Sequence, residues 1–142
     1  MATHRGHPLT IARTEALVSP LASAEAVQVP TAAWLRDRAR LFSAAAEVKF
    51  HLITSAALYT RMTGEQLNDG DIGRAHLGPA EARLPVPLVY LNVGALETRR
   101  AADQALAHET MHVGWPSYGH KAIAFERAQQ VLDTVGILST PV

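Results

Sequence analysis

A chain of 142 residues, 48% hydrophobic and 18% charged, has the make-up of one globular domain rather than of a disordered segment. Thirteen basic and thirteen acidic side chains cancel, which argues against nucleic acid or an acidic membrane surface as a partner. There is no cysteine, hence no disulfide and no thiolate metal site, and no apolar run approaches a membrane span or a secretory leader's core; a soluble cytoplasmic protein is the expectation.

Residues 1–30 read as a loosely structured N-terminal arm. Pro8, Pro20 and Pro30 punctuate it and leave room for at most a turn or two of helix between them. Such an arm is a candidate for contacts with assembly partners. Residues 31–142 read as a single domain. Thr31 is a good helix N-cap, and no proline or glycine follows it until Gly64. Trp34, Leu35, Leu41, Phe42, Ala45, Val48, Leu52 and Ile53 recur near helical spacing, while Arg36, Asp37, Arg38, Arg40, Glu47 and Lys49 mostly take other directions. The stretch predicts one long amphipathic helix, or two broken near His51.

Residues 63–87 carry four glycines and three prolines, which is turn and loop chemistry. Within them, residues 71–78 predict a short strand. Residues 88–93 form a β-favouring run closed by Asn92 and Gly94, so the two segments predict a hairpin. A breaker-free, alanine-rich helix follows from Glu97 through His112. Gly114, Pro116 and Gly119 interrupt it. A last helix then opens at His120, with Gly136 as its expected C-cap. The outline is α+β: helices packed around a short hairpin or sheet.

Chemistry concentrates in His108-Glu109-Thr110-Met111-His112, an H-E-x-x-H pattern on a predicted helix. Residues four apart lie one above the other on a helix, so two imidazoles can converge on one metal ion. Glu109, beside the first ligand, can face an open coordination position. Zinc lowers the pKa of a bound water to about 7, and a carboxylate there takes its proton. The third ligand is open on spacing alone. His120 follows a tight loop eight residues after His112, and Glu126 follows fourteen after it; His120 is preferred and Glu126 held in reserve.

The run from residue 88 to residue 130 resembles the SprT-like zinc metallopeptidases. The matching features are Leu91-Asn92 at the end of a strand, the H-E-x-x-H helix, and Gly119-His120 opening the next helix. The resemblance implies a small zincin-like domain that binds Zn2+ through His108, His112 and His120, with Glu109 as catalytic acid and base. Lys121 and Ala122 stand where that family often has Gly-Pro, and Phe125 lies one residue further out than its counterpart. The basic segments by which eukaryotic members of the family engage DNA have no counterpart here.

The leading expectation is therefore a zinc metalloendopeptidase acting on a protein or peptide substrate laid along residues 88–92. The alternatives are a structural or adaptor protein whose metal staples two helices, and a zinc amidase acting on a non-peptide amide. Tyr118 and Trp115, in the loop between ligands, are candidates for oxyanion stabilisation and a substrate wall, against a packing role for both. Asp103 is a candidate to orient a ligand imidazole. His51 and His76 read as structural histidines, and residues 36–40 as a solvated helix face.

Overall fold

The computed structural model describes residues 8–68, 70–77 and 87–140, which form six α-helices and a three-stranded sheet, an α+β arrangement. The N-terminal segment holds the turn or two of helix that its prolines allow, as a two-turn helix, α1 (Pro8–Glu15), and a single turn, α2 (Ser23–Ala26), but it is not loose. The chain between them is tied to the body by side chains of later helices. Gln104 Nε2 donates to the carbonyls of Glu15 and Leu17, at 3.2 and 2.9 Å. Gln129 accepts from the Val18 amide and donates to the Val18 carbonyl, at 2.8 and 3.0 Å. Leu17 and Ala26 are buried. Backbone that composition leaves free is thus held by partners a hundred residues away. His4 and His7 lie outside the described residues.

Thr31 caps α3 (Ala32–Ala46) as its sequence suggests, its hydroxyl accepting from the Trp34 amide. The helix stops at Glu47, which adopts the left-handed conformation at φ 55°. Near His51 the chain does break, but into a strand, β1 (His51–Ile53), before α4 (Ala56–Thr63) resumes under a Ser55 cap. Helical periodicity concealed that strand, because Phe50, Leu52 and Ile53 are as acceptable to a sheet as to a helix.

The hairpin expected downstream is present: β2 (Gly73–His76) pairs antiparallel with β3 (Leu88–Leu91). On its other side β3 pairs in parallel with β1, giving the order β1-β3-β2. All four residues of β3 are buried. Val89 and Leu91 point into the main core with Leu35, Phe42, Leu106 and Leu132, while Leu88 and Tyr90 face Tyr59 of α4 and Ile53. Fully buried side chains such as Leu35 and Phe42 each contribute roughly 1.5–3 kcal/mol.

Two helices complete the main layer. Thr98 caps α5 (Arg99–Gly114), and α6 (Ala122–Ser139) packs against both α3 and α5. Contrary to expectation, α6 does not end at Gly136 but runs through it. The glycine is required by close packing: a Cβ there would sit 2.8 Å from Cβ of Pro20. Among the described residues no helix is long and apolar enough to cross a membrane.

The governing element is α5. It is buried without interruption from Ala102 to Met111, although Asp103, Gln104, His108, Glu109 and Thr110 lie in that run. A buried polar group needs a partner, and here the partners come from distant segments. Asp103 is fully buried and accepts two hydrogen bonds of 2.7 Å from Arg38 and one of 2.6 Å from Ser19. It therefore joins α3 and the N-terminal segment to α5, and orients none of the histidines. Replacing Arg38 by Met strands that carboxylate and should cost about 3–5 kcal/mol, a fall in melting temperature of roughly 10 °C by circular dichroism for a chain of this size. Pairing Arg38→Met with Asp103→Leu should recover much of the loss; equal melting of wild type and R38M would contradict this account.

Candidate metal centre

Residues 108–112 lie at the C-terminal end of the buried run of α5 and one residue past it, so helix geometry alone stacks His108 over His112. Their Nε2 atoms lie 2.9 Å apart. The third imidazole arrives by a different route. Helix α5 ends at Gly114, a 3-10 turn over Pro116–Tyr118 follows, and Gly119 then takes φ 56° and ψ −130°. Side chains other than hydrogen are strained in that region. The bend turns the chain so that His120, two residues before α6 begins, brings its Nε2 to 3.1 Å from that of His112.

The three histidines together could hold a metal ion, their ligand atoms all lying within 4.8 Å of one another. Nitrogens around a tetrahedral ion, with bonds of about 2.0–2.1 Å, stand about 3.3 Å apart, so the two separations made by His112, 2.9 and 3.1 Å, need only a few tenths of an ångström of adjustment. The protonation states suit the purpose. Burial, then the neighbouring His112 and His120, pushes the His108 imidazole down to about 3. Burial and His120 push His112 down to about 4. Both rings are neutral at pH 7, a form in which an imidazole nitrogen can ligate a metal ion. The residues present fit a divalent ion.

Glu109 shares the cleft that contains the triad. Burial pushes its carboxyl up to about 8, with Arg74 opposing and Asp71 adding to the rise. It lies against β2 at the one position where the strand has no side chain: a Cβ on Gly73 would fall 3.0 Å from Glu109 Oε2. The cleft holds about 560 Å³, walled on one side by Thr10, Ile11, Thr14 and Glu15 and on the other by residues 71–75 and Leu77, with His108, Glu109, His112 and His120 between.

Sheet order corrects the expected substrate strand. Residues 88–91 are flanked on both sides by other strands and offer no free edge. The strand beside the cleft is β2. The Asn92 amide donates to the Ile72 carbonyl at 2.8 Å, which makes 72 and 92 a hydrogen-bonded pair. By the alternation of an antiparallel ladder, 74 and 90 form the next such pair, so the backbone groups of Gly73 and Ala75 point to the edge of β2 that is unpaired among the described residues.

The remaining candidates fall elsewhere. Glu126 is exposed on α6 and outside the triad, so of the two candidates it is His120 that is brought to the pair. Trp115 and Tyr118 pack on the hydrophobic core, with Arg127 stacked 4.9 Å over the Trp115 ring. From that loop the cleft takes Pro116 instead. His51 is exposed at the start of β1, and His76 is buried with Nδ1 3.5 Å from Glu65. Sequence reasoning passed over Thr14 and Gly73. A glycine inside a predicted strand is a signal of close approach and marks the second; nothing local marks the first.

No protein-family model matches the chain, and no curated protein or solved structure is significantly similar to it.

Two expectations follow from this geometry. Gly119→Ala has room for its methyl but not the backbone angle, so it should cost about 1–3 kcal/mol in urea unfolding and weaken metal binding by displacing His120. The second concerns metal-free protein. The Glu109 carboxyl ionises near pH 4.5 when unfolded and near 8 when folded, so the folded state binds the extra proton and its stability is lost as pH rises between those values. Glu109→Gln removes that titration. The melting temperature of E109Q relative to wild type, both in chelator, should therefore climb from pH 5 to pH 8; a constant difference would show that Glu109 is not held protonated.

Proposed function

We propose that the protein is a zinc-dependent metalloendopeptidase. The observation that carries this reading is one cleft containing three converging imidazoles, an adjacent buried carboxyl and a strand edge left unpaired among the described residues. Imidazole donors in a tetrahedral set suit zinc. A zincin-like fold and membership of the SprT-like metallopeptidases belong to the same proposal. Their support is the order of parts: Leu91-Asn92 after the sheet, the H-E-x-x-H helix beneath β2, and Gly119-His120 before α6.

His108, His112 and His120 hold the ion. When bound, zinc supplies Lewis acidity that brings the pKa of water toward 7 and polarises a carbonyl. Glu109 performs the proton transfers. Its carboxylate takes the proton of the attacking water, and as the scissile C–N bond breaks it delivers that proton to the departing amine. Its apolar position favours this cycle, because burial alone already raises its affinity for a proton. The amide and carbonyl groups of Gly73 and Ala75 pair with an extended peptide and hold it in register over the cleft. The chain's neutral net charge agrees with a peptide rather than a nucleic acid as substrate.

Purified wild type should contain one zinc per chain and hydrolyse an unstructured protein such as casein. Glu109→Gln should retain the zinc and lose about 10²–10⁴-fold in rate. His120→Ala should lose zinc and Glu126→Ala should not. Hydrolysis by E109Q at the wild-type rate would rule out the assigned proton transfers. Stoichiometric zinc without hydrolysis of any peptide would favour an ion that staples α5 to the loop before α6.

A further inference from the structure

The N-terminal helix touches the triad directly. The hydroxyl of Thr14 lies 3.0 Å from Nδ1 of His108, across 94 residues of sequence. The same hydroxyl donates to the Thr10 carbonyl one turn back, at 2.8 Å. A hydroxyl has one proton. With that proton directed at Thr10, the oxygen meets His108 as an acceptor, and the imidazole must carry its hydrogen on Nδ1. Nε2 is then left as a lone pair, 2.9 Å from Nε2 of His112, which in turn lies 3.1 Å from Nε2 of His120.

A second contact from the same helix reaches another member of the triad. Arg13 Nη1 donates to the His120 carbonyl at 3.1 Å, and its guanidinium lies 5.9 Å over the Phe125 ring. Phe125 in turn meets His108 edge to face, with centroids 5.6 Å apart. Helix α1 buries none of its own residues, so apolar packing does not explain why it lies here. Its position is set by Gln104 at its C-terminal end and by these polar contacts with the site.

We propose that α1 is the outer shell of the metal centre and that Thr14 is a positioning residue, which fixes His108 as the Nδ1–H tautomer and so presents Nε2 for coordination. This rests on the reading of the triad as a metal site. A partner on the far nitrogen of a ligand histidine commonly changes metal affinity by about 10–100-fold, and Thr14 is the side chain that fills that place.

The test combines two readouts on the full chain. In metal-free protein, nitrogen-15 NMR of the imidazoles reports which ring nitrogen of His108 carries hydrogen. Wild type and Thr14→Ser should show the Nδ1–H form, whereas Thr14→Val, which keeps the shape and loses the acceptor, should show a mixture or the Nε2–H form. Zinc affinity, measured by competition with a chromophoric chelator, should fall about 10–100-fold in T14V and be restored in T14S. An unchanged tautomer in T14V overturns the proposal even if zinc binds. A changed tautomer with equal zinc affinity in all three proteins also overturns it, since the hydrogen bond would then have no bearing on the ion. Absence of zinc binding by wild type, whatever the tautomer, would instead bring down the metal reading itself. Melting temperatures of T14V and T14S identify any loss that comes from unfolding rather than from the hydrogen bond.

Discussion

Everything in this structure depends on a helix that is buried along ten consecutive residues while five of them are polar. Helix α5 cannot present a polar face to water over that stretch, and three of its five buried polar side chains find partners in other segments, while the Thr110 hydroxyl has none among the described residues. Arg38 and Ser19 answer Asp103; the carbonyls of Glu15 and Leu17 answer Gln104; Thr14 answers His108. These partners lie in α1, in the segment that follows it, and in α3. The same requirement that gives the helix its neighbours therefore assembles the walls of the cleft. Fold and site are two outcomes of one constraint.

Burial also sets the electrostatics. Drawing histidines out of water favours their neutral form, and drawing a carboxyl out of water favours its protonated form. His108 and His112 are shifted in the opposite sense to Glu109, downward to about 3 and 4 against upward to about 8. Nearby charges are secondary: Arg74 and Asp71 act on Glu109 in opposite directions. The result is a set of lone pairs without a counter-charge, beside a group with a high proton affinity. A divalent cation supplies what the first lacks and, by its charge, makes the second easier to ionise. Neither property needs a special sequence beyond H-E-x-x-H; both need the motif to lie on a helix this deeply enclosed.

What could be read from the sequence divides by distance along the chain. The spacing of His108 and His112, the Thr31 cap, the pairing of two short β-prone segments and the approach of His120 are local, and local pattern shows them. Strand β1 was hidden because its apolar residues continue a helical period and its pairing with β3 is parallel, joining residues about forty apart that no turn motif announces. The substrate edge was misplaced for the same reason. Hydrophobicity marks residues 88–91 as a strand, but a strand buried on both faces is hydrophobic because it is central, and a central strand has no free edge. The less apolar segment, Gly73–His76, is the one at the margin.

The N-terminal segment is the sharper case. Its prolines leave room for no more than a turn or two of helix between them, and local pattern shows nothing that would hold those turns to the body. Its order comes instead from acceptors and donors that the body of the protein already needed to satisfy: the amides of Gln104 and Gln129 and the carboxylate of Asp103. Such an element is held by a few directional bonds and little buried area, so its stability is local and modest. It nonetheless forms one whole wall of the cleft and touches two of the three histidines. Opening α1 would widen the cleft and withdraw the acceptor from His108 in one motion, without disturbing the core that α3, α5 and α6 share. A lightly buried helix thus borders the densest chemistry, and an ion held by the triad would be thermodynamically linked to order in α1: whatever strengthened one would strengthen the other by the same free energy.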